Sequence, residues 1–270
     1  IYGNEKEIGK AIAEVIDNGD VTRDELWITS KLWNNKHRKN QVMPALSQTI
    51  EDLQCGHLDL FLVHWPVVLA DGVGFPESGD DMVSLSEIPI DETWSGMEDC
   101  KDIGLARHIG VSNFSVKKLE GLANANVRPE MNQIEMHPLL QQPDMLEYCN
   151  ANNILLTAYS PLGSPDRMQE LKAEGEPNLL TNPVISAIAE RHAATSAQIL
   201  IAWAIQRGTS VIPKSVNVGR LRENFEASKL QLTDQDMDQI KGLDEHYRYV
   251  KGQFWTLEGS DYTIANLWDE

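Results

Sequence analysis

The stretch that decides the fold reads Asp59-Leu60-Phe61-Leu62-Val63-His64-Trp65-Pro66, an apolar run that leads directly into a histidine, a tryptophan and a proline. A short, continuous apolar run that follows a helical pattern is typical of a strand buried on both faces, as in a parallel sheet. His64 stands where this strand ends, because Pro66 cannot continue a hydrogen-bonded ladder. Such a histidine is either a core residue or, in an α/β barrel, a candidate catalytic residue, because the carboxyl ends of barrel strands carry the chemistry.

Strands and helices alternate on both sides of this stretch. Apolar runs predict strands at Leu26–Lys31, Asp59–Val63, Ala106–Val111, Met131–Glu135, Ile154–Ala158 and Ser210–Pro213. Helical spacing predicts helices at Glu5–Asp17, Arg38–Leu53, Glu92–Ile103, Val116–Ala123, Pro143–Asn150, Asn182–His192, Ser196–Gln206, Val218–Ala227 and Thr233–Leu243. This alternation predicts an α/β fold with a parallel sheet. We expect a single domain over residues 1–270, because no linker or shift in composition divides the chain.

An open doubly wound sheet and a closed (β/α)₈ barrel both fit the alternation. No G-x-G-x-x-G follows a strand, so the phosphate-binding turn of the open dinucleotide-binding sheet is absent. The chain begins at Ile1-Tyr2-Gly3 as if in the middle of a domain. Six strand-then-helix units therefore predict a barrel whose first two strands and first helix are absent from this sequence.

Composition narrows the class of partner. The formal net charge of −18 argues against nucleic acid and against anionic lipid surfaces. No apolar run approaches the roughly 18–20 residues of a membrane span. The cysteines, Cys55, Cys100 and Cys149, lack metal-ligand spacing, and no His cluster indicates a metal site. Reduced thiols in a cytoplasmic protein are the simplest interpretation.

Two segments lack a regular pattern. The turn-rich, acidic segment Val67–Asp91 is long enough to predict a functional or disordered loop. The tail, residues 244–270, is rich in tyrosine and tryptophan and is predicted to be irregular. Trp27 and Trp203 are expected to fill the core, and His137 and the remaining histidines to be structural or exposed.

Polar residues stand at the end of every predicted strand, and here the chain resembles the aldo-keto reductase family, close to the aldose and xylose reductases. The motifs occur in the family's order: Tyr2-Gly3-Asn4-Glu5, Ser30-Lys31-Leu32-Trp33, Leu62-Val63-His64-Trp65-Pro66, Gly110-Val111-Ser112-Asn113-Phe114, Ala158-Tyr159-Ser160-Pro161-Leu162-Gly163 and Ile212-Pro213-Lys214-Ser215. The resemblance covers essentially all 270 residues. It implies a (β/α)₈ barrel that reduces carbonyl compounds with a nicotinamide cofactor.

The resemblance assigns catalytic roles to Tyr2, Lys31 and His64. Tyr2 would be the general acid, Lys31 would lower the pKa of its phenol, and His64 would orient the substrate carbonyl. The family's fourth catalytic residue, an aspartate, would lie upstream of Ile1. Taken without the other motifs, Tyr2 is equally a surface residue near the terminus, and Lys31 a solvated strand end.

The resemblance also implies a cofactor site. Ser112, Asn113 and Gln133 would bind the carboxamide, and Tyr159 would stack on the nicotinamide. The pyrophosphate would lie along Ser160, Leu162, Ser164 and Asp166. Lys214, Ser215, Asn217 and Arg220 would meet the 2′-phosphate of NADPH, and Glu223 and Asn224 would hold the adenine. Asn217 stands where many relatives have threonine, so NADH is a possible second cofactor.

The implied substrate is a small carbonyl compound, bound between Trp33, Trp65 and Phe75, with the tail from Tyr247 and from Trp255 to Trp268 folded over it. Apolar walls around a few polar groups are typical of small-molecule sites. We expect a cytoplasmic monomer. Two alternatives remain open at this stage: a cofactor-binding regulatory subunit on the same fold, and a catalytically inactive truncated barrel.

Overall fold

The structure, a computed structural model, describes residues 1–169 and 172–270. Its strands are β1 (Thr29–Leu32), β2 (Leu58–Val63), β3 (Val68–Leu69), β4 (Met82–Val83), β5 (Ala106–Ser112), β6 (Met131–Glu135), β7 (Leu155–Tyr159) and β8 (Ser210–Val211). Its α-helices are α1 (Glu5–Asp17), α2 (Lys39–Leu53), α3 (Ile90–Asp102), α4 (Val116–Gly121), α5 (Pro143–Asn152), α6 (Pro183–Arg191), α7 (Ser196–Gln206), α8 (Val218–Glu226), α9 (Asp234–Lys241) and α10 (Ile264–Trp268). The predicted α/β alternation is confirmed.

The chain forms two compact units. The first comprises Ile1–Asn132 and Gly252–Glu270, so it includes most of the tail, and the second comprises Gln133–Lys251. The expectation of one domain over residues 1–270 stays a prediction. No helix of the described residues is long and apolar enough to cross a membrane.

In the first unit, β2 lies between β1 and β5 and is parallel to both. All six residues of β2 are buried, as the continuous apolar run predicts. Lys31 of β1 is paired with Leu62 of β2, and the His64 amide donates to the Leu32 carbonyl across 3.2 Å. This register brings the carboxyl ends of β1 and β2 together.

The opposite end of β2 is held by charge. Asp59 is buried, and its carboxylate accepts hydrogen bonds from Arg23 at 3.0 Å, Arg107 at 3.1 Å and the Ile28 amide at 2.8 Å. Because both cations and an amide satisfy it, this buried carboxylate is not an unpaired charge. The amino end of β2 is therefore stabilised by ion pairs with Arg23 and with Arg107 of β5, at the end opposite His64.

In the second unit, β7 and β8 are parallel neighbours, with Thr157 opposite Ser210 and Ala158 opposite Val211. Helix α7 is buried over most of its length, including Trp203 at 1% exposure, as predicted. At the end of β6 the buried Glu135 carboxylate accepts the amides of Tyr249 at 2.6 Å and Val250 at 2.8 Å. It also meets His137 at 2.8 Å, so His137 is structural, as expected.

Residues 67–91, predicted to be a functional or disordered loop, contain a short antiparallel hairpin in which β3 pairs with β4, and the Ala70 amide donates to the Asp81 carbonyl across 2.8 Å. Two other expectations need correction. The tail is not irregular throughout, because a capping box of Thr263 and Asn266 begins α10. Trp27 is 62% exposed rather than buried, since it precedes β1 and stacks on His108 with ring centroids 5.5 Å apart.

Candidate active site

The first unit brings Tyr2, Lys31 and His64 together. The ring centroids of Tyr2 and His64 lie 5.9 Å apart, and the Lys31 Nζ atom lies 5.5 Å from the centroid of the Tyr2 ring. The pairing of β1 with β2 places Lys31 and His64, and the start of α1 places Tyr2. Three residues distant in sequence therefore share one site.

The turn before α1 fixes the position of Tyr2. Gly3 has φ 69°, a left-handed conformation that a residue with a Cβ adopts only with strain. Glu5, in the first turn of α1, accepts hydrogen bonds from Ser30 at 2.6 Å and Thr49 at 3.3 Å. Ser30 immediately precedes Lys31 in β1, so the same contact holds the tyrosine segment against the lysine strand.

Burial pushes both Tyr2 and Lys31 toward their neutral forms. Tyr2 is 69% exposed, yet the part of its side chain against protein is desolvated, and this raises the pKa of the phenol. Desolvation also lowers the pKa of the Lys31 ammonium group. The pKa of Tyr2 is therefore raised by desolvation rather than lowered as expected from Lys31, whose Nζ atom lies beside the face of the phenol ring.

His64 is neutral at physiological pH. Burial is the main cause that lowers its pKa to about 3, and the positive charge of Lys31 adds to the effect. A neutral imidazole carries one N–H donor and one acceptor nitrogen. Within the site, His64 can therefore donate a hydrogen bond to a carbonyl oxygen without a change in its own charge.

Aromatic side chains wall the space beside His64. Trp33 meets the His64 ring edge-on with centroids 5.1 Å apart, and Trp255 packs 5.9 Å from Trp33 and 5.8 Å from Trp65. Phe75, which is 53% exposed, lies 5.5 Å from Trp255. The structure thus brings the predicted wall residues Trp33, Trp65 and Phe75 together with the tail.

Phe254 belongs to the same wall and was not singled out from the sequence. Its ring lies 5.7 Å from the rings of both Trp65 and Phe75. Phe254 and Trp255 fall in a 3₁₀ turn, Gln253–Trp255, where no helix or strand period marks the buried side. The high number of aromatic residues in the tail is the sequence signal that could have indicated that Phe254 lies in this wall.

The strand-end pair Ser112 and Asn113 is buried in the first unit, at 1% and 2% exposure. Asn113 has φ 64°, and its Nδ2 donates to the His64 carbonyl oxygen across 2.9 Å. Asparagine tolerates this left-handed conformation better than most residues. Asn113 therefore holds the main chain of His64, a contact that the sequence did not indicate.

The remaining predicted cofactor residues lie in the second unit. Gln133 is buried in β6, and Tyr159 ends β7 half-buried. The turn after Tyr159 is unusual because Ser160, Gly163 and Ser164 all have positive φ, at 50°, 80° and 45°. The hydroxyl oxygens of Ser160 and Ser164 lie 2.5 Å apart, within hydrogen-bond distance. Leu162, in the same turn, is half-buried. Non-glycine residues in this region cost free energy and tend to occur at functional sites.

The start of α8 carries the predicted phosphate residues. Asn217 caps the helix by accepting from the Arg220 amide at 3.1 Å, and the Ser215 hydroxyl accepts from the Asn217 amide at 3.1 Å. Lys214 and Arg220 are both exposed. A helix start with two exposed cations fits an anionic phosphate, through charge and through helix amides.

Nearby contacts hold the other predicted residues in place. Lys214 pairs with the exposed Asp166 across 3.3 Å. The Asn224 Nδ2 donates to the Pro213 carbonyl at 3.2 Å, and the exposed Glu223 accepts through its main-chain oxygen from Gln198 at 3.1 Å. The binding roles of all these residues stay predictions. Among the residues that the structure describes, no group of three or more His, Cys, Asp or Glu could hold a metal ion.

The sequence is similar to known proteins along its length. The Aldo/keto reductase family profile matches residues 1–245. An aldo/keto reductase from Synechocystis sp. is 55% identical over 271 residues, which cover 100% of this chain and 83% of the relative. Aldo-keto reductase family 1 member A1 of Bos taurus is 42% identical over 253 residues, with 93% of this chain and 77% of the relative covered. Aldo-keto reductase family 1 member C1 of Macaca fuscata fuscata is 41% identical over 254 residues, which cover 93% and 78%.

Proposed function

Since the chain belongs to the aldo/keto reductase family of oxidoreductases, we propose that it reduces aldehydes, aldoses or ketones to alcohols with NADPH. The observation that carries this proposal is the convergence of Tyr2, Lys31 and His64. A donor imidazole, a phenol and a cation are the groups needed to protonate a developing alkoxide.

Bound NADPH supplies the hydride that adds to the carbonyl carbon. His64, neutral in its buried position, donates a hydrogen bond to the carbonyl oxygen and fixes its orientation. Tyr2 then gives its phenolic proton to the same oxygen as negative charge develops there. Lys31 stabilises the phenolate that remains, and a proton from solvent restores Tyr2 for the next cycle.

The electrostatics of the site suit this division of roles. Tyr2 is protonated at neutral pH, but its raised pKa makes it a weaker acid, so its phenolate has to be stabilised during the reaction. As charge passes from the substrate oxygen to the phenol, the nearby Lys31 lowers the energy of the phenolate more than that of the phenol. Stabilisation of charge that forms only during the reaction lowers the barrier rather than the energy of the bound substrate.

The cofactor is proposed from charge. In a chain of net charge −18, an anionic cofactor needs a local cationic site. Lys214 and Arg220 supply it beside the capped start of α8, and Ser215 and Asn217 add polar groups. The 2′-phosphate distinguishes NADPH from NADH, so these cations favour NADPH, with NADH as the weaker cofactor.

The proposed fold is the (β/α)₈ barrel of the family, in one domain over residues 1–270 that includes the tail 244–270. The parallel pairing of β1, β2 and β5 in one unit and of β7 and β8 in the other supports this proposal. We also propose that the protein works as a cytoplasmic monomer that uses no metal.

The test is a direct assay. Purified protein is titrated with NADPH and NADH by quenching of tryptophan fluorescence, and oxidation of each cofactor is followed with an aldehyde, an aldose and a ketone. We expect tight NADPH binding and carbonyl-dependent oxidation of NADPH. Binding without turnover of any carbonyl would favour the regulatory-subunit alternative, and absence of both would contradict the proposal.

A further inference from the structure

One tyrosine of the tail joins both sides of the β3–β4 hairpin. The Tyr262 hydroxyl accepts a hydrogen bond from the Val68 amide at 2.9 Å and donates one to the Val83 carbonyl at 2.8 Å. Val68 and Val83 face each other across the hairpin. Tyr262 is 5% exposed, and burial raises the pKa of its phenol to about 12, so the proton that it donates stays in place.

The hairpin needs such support. Its strands have two residues each, and a two-stranded hairpin is marginal in water even when it is longer. Residues 70–81 between the strands form a long connection whose closure costs conformational entropy. Contacts from outside the hairpin therefore decide how well this connection is ordered.

A second contact joins the same two segments. Gly79 is buried, and a Cβ atom at this position would lie 2.4 Å from the Glu258 carbonyl oxygen and 2.5 Å from the Gly259 carbonyl carbon. Main chain therefore packs directly on main chain, which only glycine permits. The hairpin connection and the tail are fitted to each other at Gly79 and at Tyr262.

Each segment supplies part of the aromatic wall. In the hairpin connection, the Gly74 carbonyl accepts from the Trp33 indole at 2.7 Å, and Phe75 faces the tail. The tail supplies Phe254 and the fully buried Trp255, which packs against Trp33. Trp33 in turn contacts the His64 ring.

We propose that Tyr262 is a positioning residue that makes the hairpin connection and the tail one unit, and that this unit sets how tightly bulky apolar carbonyl substrates bind. This inference rests on the proposed function, because it assigns a specificity determinant to the same site. Tyr262 does not touch the catalytic side chains in the contacts described above. It acts through Phe75, Phe254 and Trp255.

The variant Tyr262→Phe removes both hydrogen bonds and leaves the ring. For a bulky aromatic aldehyde we expect KM to rise about tenfold, the effect of losing hydrogen bonds worth ~1.4 kcal/mol in total. For a small aliphatic aldehyde, which needs little of the wall, we expect KM to change less than about twofold. The kcat for both substrates and the Kd for NADPH should stay near their wild-type values.

Gly79→Ala gives an independent test of the same linkage. Its Cβ would separate the two segments at the other contact, so the same rise in KM for the bulky substrate is expected. Gly121→Ala is the matched control, because Gly121 is exposed in α4 with no atom within 4 Å of the added Cβ.

The ratio of KM for the bulky aldehyde to KM for the small aldehyde, compared between wild type and variants, tests the proposed role of Tyr262. If Tyr262→Phe lowers kcat equally for both substrates, or leaves the ratio unchanged, the assignment is overturned. The same holds if Gly121→Ala changes the ratio as much as Tyr262→Phe does. A general loss of stability would affect both substrates alike, so it cannot produce the expected pattern.

Hydrogen exchange separates this inference from the proposed function. In Tyr262→Phe, amides of the hairpin connection, residues 70–81, and of the tail, residues 252–262, should gain exchange by a similar factor. If wild-type protein reduces no carbonyl but the two segments still loosen together, the proposed function fails and the linkage stands. If only one segment loosens, the linkage itself fails.

Discussion

The proposed catalytic group of the first unit and the proposed phosphate-binding segment of the second lie in opposite physical environments. Around Tyr2, Lys31 and His64, desolvation dominates, and every shifted pKa moves toward the neutral form. At the start of α8, Lys214 and Arg220 are exposed, and Lys214 forms an ion pair with the exposed Asp166. In the first region desolvation shifts the pKa values, although Tyr2 remains 69% exposed, and in the second the charges lie in solvent.

This difference follows from the two tasks. Proton transfer to an alkoxide needs groups whose charge changes during the reaction, and a low local dielectric strengthens their mutual effects. Recognition of a phosphate needs permanent charges, and exposed cations hold theirs at no desolvation cost. Changes in the first region should therefore alter kcat, and changes in the second should alter cofactor affinity.

The largest expected effect is the loss of the acid. Tyr2→Phe keeps the ring that packs near His64 but removes the proton, so kcat should fall by a factor of about 10²–10⁴. The Kd for NADPH should change little, because Tyr2 and the α8 segment have separate roles. Stopped-flow turnover and fluorescence titration measure the two quantities on the same preparation.

A second aromatic change serves as the control for that variant. Trp27→Phe alters an exposed aromatic residue of the same unit that lies outside the site, so it should leave kcat near the wild-type value. Unchanged turnover in Tyr2→Phe would show that another group supplies the proton, and the catalytic assignment would then fail.

The next effect concerns the charged region. Lys214→Ala should weaken NADPH about 10- to 100-fold, since a charged hydrogen bond to phosphate contributes roughly 1.5–3 kcal/mol. NADH lacks the 2′-phosphate and should lose much less affinity. Lys229→Ala is a matched control, because Lys229 is an exposed lysine of the same unit that pairs with Glu226 at 2.7 Å. Equal losses for both cofactors would remove the 2′-phosphate assignment.

Local apolar runs in the sequence predicted where the strands that precede Lys31, His64 and Lys214 end. The roles of these residues came from the family resemblance and stay predictions. The resemblance predicted that the tail folds over Trp33, Trp65 and Phe75, and Trp255 does contact these residues. The hydrogen bonds of Tyr262 could not be predicted, because Val68 and Val83 lie far away in sequence. The exposed position of Trp27 was not predicted, because the hydrophobicity of a side chain does not show whether it points into the core or towards solvent.

The pH profile is a smaller test of desolvation. Tyr2 acts in its protonated form, and burial raises its pKa, so its ionisation should limit kcat/KM for reduction only above about pH 10. Burial lowers the pKa of Lys31, whose charge stabilises the phenolate, so loss of that charge can begin the alkaline fall earlier. His64, with a pKa of about 3, should add no titration between pH 5 and pH 8. A profile that already falls near pH 7–8 would mean that Lys31 either lowers the Tyr2 pKa or loses its own charge in the complete complex. NADPH affinity must be measured across the same range, because the 2′-phosphate itself titrates near pH 6.

The smallest expected effect lies in the ion pair between Lys214 and Asp166. Both side chains are largely exposed, at 70% and 68%, so solvent weakens their attraction. Asp166→Asn should release Lys214 and remove a repulsive charge, and NADPH affinity should improve by no more than about a few-fold. The gain should shrink as salt is raised, because about 0.15 M salt screens exposed charges over roughly 8 Å. Weaker NADPH binding in this variant would instead mean that Asp166 helps to hold the cofactor, and the second region would then use more than exposed positive charge.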